Sequence, residues 1–536
     1  MLALLWIFPA LAAAAAAALV ARLDRAGRWV ILGFAALFAA SALLSPEAYV
    51  HDHLTHFRHA RAVLDDPRLL LHTWDRPAFL LLYAAPARLG LRAARLFSLV
   101  PAAVAMAATM LAARRLGLAR PWLAGVFLAT QLDFFGQASS TMTELLFAAG
   151  FGVALLGLAE DAPALAAAGL GLVGISRPEG PLFVALGAAL LVQRRRLAAA
   201  AGAFLPFAAY LAAGALAYGD LLWFVHLNAY QGGNVAPRLE LRQLWRSYFY
   251  TAAAETQPAV LLALELVALA ALARRDAARP RWLAWALAPL AVEWLLLTFL
   301  RIGPADWWRQ SRYLVSFGPA LALLACEGLA RLERWLPAAA PRLAVALAGA
   351  SAAATLLDRR RLPGVHGPAL AGAVLLAVLA LTAVLVLAHR RVPPLAALTG
   401  LLVLPLALAP PGAFARHRPI PGERLDLAAA RWLVARRPPP PVVGFDSPAL
   451  EPACAAELAD PCPLPLGPVR LDDAPPGALF VKQFAEGAPA EPPPPGWREV
   501  WTGVDGRVRG PQLSPRWVET RATIWERVGP GTQAAR

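Results

Sequence analysis

Apolar runs close to the length of a bilayer crossing follow one another from Leu2 to about Ala409 and stop at Pro410. Hydrocarbon about 30 Å thick takes roughly 20 helical residues to cross, because every backbone polar group inside it must be bonded within the protein. A chain with this pattern folds as a bundle of membrane helices, and its polar residues are left to loops, cavities and the tail. Bulk composition agrees: 59% of the 536 residues are hydrophobic and 16% charged, against roughly 25% charged in soluble domains.

The formal net charge of +15 raises nucleic acid as a partner. The basic residues are arginines, with Lys482 the one lysine, and no basic stripe interleaved with aromatics is present. Many of the arginines fall in short loops between apolar runs, which is the distribution that orients membrane helices with positive loops inside, so nucleic acid is set aside.

The run Leu2 to Ala21 lacks a basic leader and is followed by RLDRAGR, so it reads as a spanning helix with an exterior N-terminus. Arg22, Arg25 and Arg28 then mark a cytoplasmic loop, and Trp29 to Ser45 returns the chain to the exterior. On the same count Arg114 with Arg115 and Arg120, Arg194 to Arg196, Arg274 with Arg275 and Arg279, Arg331 with Arg334, and Arg390 with Arg391 fall inside. Arg359 to Arg361 fall outside against the rule, and acidic Glu160 and Asp161 fall inside. Pro77 to Gly90 is short for a crossing and contains Pro86, so it reads as interfacial or re-entrant.

After Pro410 the proline runs Pro438 to Pro441 and Pro492 to Pro495 favour extended spacers. Strand-like VVGFDS, ALFVKQF, WREVWTG and ATIWERV, with helical LDLAAARWLVARR before them, predict a small α/β domain. The expected architecture is an all-α polytopic bundle of about 12 to 14 transmembrane helices over 1–411, with an exterior loop 46–91 carrying juxtamembrane helices. Residues 412–536 form an exterior soluble α/β domain. Cys326 reads as a buried small hydrophobe, while Cys454 and Cys462 are a disulfide or two thiols according to the compartment they face.

Four polar features interrupt this apolar background. YVHDHLTHFRHARAVLDDP carries His51, Asp52, His53, His56 and His59, and His72 follows. In a helix Asp52, His56 and His59 share one face, fit for a general base or a divalent metal, or for the wet side of an amphipathic juxtamembrane helix. The spacing matches no HExxH-type set. Next, Glu144 opens an apolar run after Asp133, either facing a cavity or closing a capping box with Thr141. ISRPEGP, from Ile175 to Pro181, brings Arg177 and Glu179 between two apolar runs, where Pro178 and Pro181 disfavour helix, so the broken backbone must line protein or water. Lastly RIGPADWWRQSRYLVSFGP places Arg301, Arg309, Arg312 and Tyr313 before another run, as interfacial anchors or as a guanidinium grip on a lipid phosphate.

In their order HDHLTH, WDRP, PARLGLRAARLFSLVPA, TELLF, SRPEG and SRYLVSFGPALALL, these pieces resemble the GT-C superfamily of membrane glycosyltransferases over roughly the first 330 residues. The resemblance implies a polyprenyl-phosphate-linked sugar donor and a lipid, glycan or protein acceptor, met at the exterior face of the inner membrane among membrane lipids. It makes Asp52 the loop-one carboxylate that acts as base or orients the acceptor, and Arg312 the arginine on the donor phosphate. Glu144, Arg177 and Glu179 become secondary cavity residues, and His53, His56 and Tyr313 join them as candidate substrate contacts. HDH stands where an acidic pair is commoner, which leaves a divalent metal on Asp52 and His56 an open alternative to a metal-free site.

The chemistry is coherent on its own terms. A polyprenyl phosphate leaves readily once arginines neutralise it, whereas a hydroxyl acceptor needs a base, and attack opposite the leaving group inverts the anomeric carbon. Two other readings fit a membrane bundle with few charges: a secondary transporter or lipid-linked glycan translocase, and a non-catalytic assembly protein.

Overall fold

The computed structural model describes residues 6–44, 51–73, 75–227, 257–273, 311–357, 368–387, 393–408, 421–445, 464–465, 471–484, 491–509 and 516–528. The chain forms two compact units, one of residues 1–45 and 59–416 and one of 46–58 and 417–536.

Among its described residues the regular elements of the larger unit are all helices. Four helices, Arg25–Leu44, Leu91–Arg115, Leu197–Tyr218 and Leu314–Trp335, are long and apolar enough to cross a membrane, and eight shorter apolar helices accompany them. Alanine and leucine dominate these helices, and both hold helical geometry at little cost. The leucines are not sequestered: Leu216 is 88% exposed and Leu387 80%, which hydrocarbon tolerates and water does not. The core holds Phe38, Phe127, Phe134, Phe147 and Phe317 among many alanines.

Where oily surroundings remove the hydrophobic drive between helices, close backbone approach replaces it. The hairpin of Glu144–Ala159 and Pro163–Gly174 shows this at two glycines. A Cβ on Gly157 would lie 2.3 Å from the Ala166 nitrogen, and one on Gly169 2.4 Å from the Ala154 nitrogen. No side chain fits at either position.

At one end of the bundle the helices finish in arginines. Arg22 pairs with Glu160, Arg115 reaches the same carboxylate at 3.4 Å, Arg196 meets Asp161 at 3.0 Å and Arg120 meets Glu333 at 2.7 Å. Burial would raise the Glu160 carboxyl, but Arg22 and Arg115 outweigh it and hold the group below its ordinary value.

Pro77–Arg88 is a twelve-residue helix with Pro86 inside it. Phe79, Leu80, Tyr83 and Ala87 are fully buried, so protein packs around this short helix.

In the second unit a four-stranded sheet runs in the order β1-β2-β4-β3, with β1 Val443–Phe445, β2 Leu479–Gln483, β3 Trp497–Arg509 and β4 Arg516–Arg527. β1 and β2 are parallel and the other pairs antiparallel, with an irregularity in register between Glu499 and Trp501. Helix Pro421–Ala435 packs Ala429, Ala430 and Leu433 against Val443, Leu479, Val481 and Ile524. The helix and all four strands match the sequence expectation. Cys454 and Cys462 lie outside the described residues, as do Arg274, Arg275, Arg279, Arg359 to Arg361, Arg390 and Arg391.

Candidate active site

The break at SRPEG is real: helix Pro163–Gly174 ends before it and Gly180–Gln193 begins after it. Pro178 lacks a backbone donor and Pro181 disfavours helix in the residue before it, which frees the backbone to turn. The turn carries Arg177, 7% exposed, to Glu144, 1% exposed, with a separation of 2.8 Å. Arg177 Nε donates to Glu179, and one terminal nitrogen donates to the Thr143 hydroxyl at 3.3 Å.

This arrangement decides between the two readings of Glu144. Helix Glu144–Ala159 has Thr143 at its N-cap and no side-chain cap bond, so the capping box with Thr141 does not form. A cap contributes about 1 kcal/mol, whereas leaving a buried charge unpaired costs several times that, so the carboxylate goes to the guanidinium. One cation held between two carboxylates leaves the cluster acidic. Arg177 therefore orients Glu144 and Glu179, carboxylates able to accept further hydrogen bonds.

A second turn, His72 to Pro77, is tied to the first through the backbone, the Ala78 N–H donating to the Ile175 carbonyl at 3.3 Å. Asp75 is fully buried there, with His59 Nδ1 and His72 Nδ1 both on its Oδ2, the latter at 2.7 Å. Arg76, also fully buried, lays its guanidinium 4.5 Å from the centre of the Phe224 ring and 5.9 Å from that of Tyr210, both within cation–π range. Its φ of 62° is left-handed for a residue with a side chain, strain of about 1–3 kcal/mol that persists only where surroundings impose it. The Tyr210 hydroxyl donates to the His72 carbonyl at 3.3 Å and Thr73 donates to the Leu227 carbonyl at 3.2 Å, fixing the turn to neighbouring helices.

The third contribution is the short helix Ser311–Phe317, which packs against Leu132–Gln137 and Glu144–Ala159. Its Phe317 meets Phe147 and Phe183, ring centres 6.2 and 5.4 Å away, on the helices that begin with Glu144 and just after Glu179. Beside it the non-helical stretch Ser139 to Thr143 is buried. Arg95 Nε donates to the Ser139 carbonyl at 2.9 Å, Ser98 donates to that of Ser140, and Tyr83 bonds Ser98 at 2.8 Å. Irregular backbone among membrane helices is stable only with partners of this kind.

Of the residues singled out in the sequence, Glu144, Arg177 and Glu179 converge. Asp52 lies on helix His51–Ala62, as the shared-face reading required, and its side chain is outside the described part of the structure. His53 and His56 are buried, and both belong to the stretch 46–58 of the second unit. Arg312 and Tyr313 lie on the Ser311–Phe317 helix, with side chains likewise undescribed, and Arg301 and Arg309 lie outside the described residues. Sequence reasoning overlooked Asp75 and Arg76, which it met only within WDRP. The concentration of histidines around them was the available signal.

No family model and no curated protein matches the sequence. Solved structures do. The chain is similar to ArnT from Cupriavidus metallidurans in the apo state, with a TM-score of 0.56 and 17% identity over 86% of this chain and 93% of that one. It is also similar to the same protein bound to undecaprenyl phosphate, with a TM-score of 0.54 and 17% identity over 86% and 94% of the two chains. The likeness to both structures is one of fold.

Proposed function

We propose that this protein is a multi-pass membrane glycosyltransferase that moves a sugar from a polyprenyl-phosphate donor to an acceptor hydroxyl at the exterior face of the inner membrane, inverting the anomeric carbon. The observation that carries the reading is the meeting of WDRP, TELLF and SRPEG at one end of the bundle through the Ala78–Ile175 and Arg177–Glu144 bonds. Charges brought that far from water serve a polar substrate better than they serve the fold. A structural neighbour bound to undecaprenyl phosphate supports the donor class.

In this reading Asp52 takes the acceptor proton as the hydroxyl attacks, and Arg312 neutralises the departing lipid phosphate. Glu144 and Glu179, oriented by Arg177, bind sugar hydroxyls, while Arg76 adds fixed positive charge beside them. His53, His56 and Tyr313 contact substrate. A transporter would place paired broken helices at mid-membrane within two related halves, whereas the sequence carries one such break, at SRPEG.

The test is transfer of sugar from a polyprenyl-phosphate donor by the purified chain in detergent. Asp52→Asn is expected to slow transfer about 100- to 10,000-fold, the usual contribution of a positioned base. A variant as fast as the parent removes Asp52 from the mechanism.

A further inference from the structure

Three donor atoms from three separate elements converge beside the WDRP turn. His59 comes from helix His51–Ala62, His72 from the end of the short helix Pro67–Leu71, and Asp75 from the turn itself. Their ligand atoms all lie within 4.8 Å of one another. Both rings present Nδ1, the two rings stand edge to face with centres 5.0 Å apart, and the Asp75 N–H points to the His72 Nδ1 at 3.4 Å. At 2.7 Å the His72 Nδ1 and the Asp75 oxygen share either the ring's own proton or a cation, and the ring nitrogen already faces the carboxylate as a ligand would.

We propose that His59, His72 and Asp75 form a binding site for one divalent transition-metal ion of the zinc class. Two imidazoles and one carboxylate are a ligand set that such ions favour. Tetrahedral ligands at about 2.0–2.1 Å from the metal stand roughly 3.3 Å apart, so both rings must swing outward, the His72 nitrogen by roughly 0.6 Å from its 2.7 Å separation, to admit the ion. Burial differs usefully across it. The Asp75 carboxylate is wholly enclosed, whereas the His59 and His72 side chains keep 28% and 34% of their surface. A fourth position would therefore lie on the open side of the rings, as in sites that keep water or substrate on the metal. The ion would also compensate the enclosed carboxylate and reinforce the positive charge of Arg76. This assignment is independent of the transfer reading: a metal-free result leaves that reading standing.

The probe is cobalt(II), a coloured stand-in for zinc, titrated into the full-length detergent-solubilised protein after treatment with a chelator. One equivalent is expected to bind with the intense visible bands of a tetrahedral site, and zinc is expected to bleach them. His59→Ala and His72→Ala should each weaken binding by about 100-fold or more, since even loss of an outer hydrogen-bonding partner costs 10- to 100-fold, and the paired His53→Ala and His56→Ala replacement should leave it unchanged. Size-exclusion profiles identify any variant that fails to fold, and the parent titration stands without them. A parent that takes up no cobalt overturns the proposal, because the three side chains then form a proton-bridged cluster only. Binding that survives both single replacements, or that vanishes with His53 and His56, overturns it as well.

Discussion

The two ends of the same helices handle charge in opposite ways. Leu99–Arg115, Glu144–Ala159 and Gly180–Gln193 begin at Ser98, Glu144 and Glu179 and finish beside Arg115, Glu160 and Arg194. At the finishing end the arginines are half exposed and meet carboxylates at the surface, as Arg115 with 58% of its side chain open to solvent does. Such pairs contribute about 0–1 kcal/mol each and are screened by salt. At the starting end Arg177 and Glu144 are nearly inaccessible, and a buried pair of that kind is often no more stable than apolar residues of the same volume. In the proposed reading the first set orients the chain in a membrane, and the second is retained at a cost that a substrate makes useful.

The largest effect that separates the two ends is expected at Arg177. Arg177→Met strands the Glu144 carboxylate, and should cost about 3–5 kcal/mol in thermal or denaturant unfolding. Adding Glu144→Leu should restore most of that stability while sugar transfer stays lost; recovery of transfer in the double variant would make the pair a structural brace and break the comparison. A far smaller change is expected at the other end, where Glu160→Gln should cost under about 1 kcal/mol at neutral pH. The Glu160 carboxyl is held below its ordinary 4.5 in the folded chain. Its contribution is therefore full above that value and fades as pH falls through the lower folded-state value, so parent and variant melting curves should converge in acid. A loss that persists in acid would assign Glu160 a packing role. A change of under about 1 kcal/mol is expected from Asp161→Cys, introduced where the native Cys326, Cys454 and Cys462 are serine, since it removes the exposed pair with Arg196. An impermeant thiol reagent should label it only after cells are opened, because the positive-inside rule puts the arginine-rich end in the cytoplasm. Labelling of intact cells would reverse the orientation proposed for both ends.

The bundle was legible in the sequence because hydrocarbon leaves a chain so few choices, and the tail because alternation and proline spacing are local signals. The SRPEG break was legible for the same reason, since two prolines with two charges announce an interruption wherever they fall. Glu144 was only half legible. Thr141 sits three residues before it and offers a cap, whereas Arg177 lies more than thirty residues downstream and is brought in by the hairpin. Asp75 was hidden more thoroughly: a carboxylate in an irregular turn has no period, and its partners His59 and His72 come from either side of a loop. The histidine-rich helix drew attention to Asp52 and His56, yet among the described residues the cluster able to hold a metal lies further along, at His59.

Gly157 and Gly169 give the hairpin a mechanical consequence. Backbone rests on backbone there, so the hairpin acts as a stiff lever whose fulcrum is made of hydrogen atoms. Gly157 lies about 20 Å along the axis from Glu144, at about 1.5 Å per residue. One added methyl would pry the two arms apart, and an arm tip displaced by about 1 Å is enough to cost roughly 100-fold in rate where reacting groups must be aligned. Two of the smallest residues in the chain, one of them about 20 Å from Glu144 at about 1.5 Å per residue, thus set the tolerance to which that carboxylate is placed.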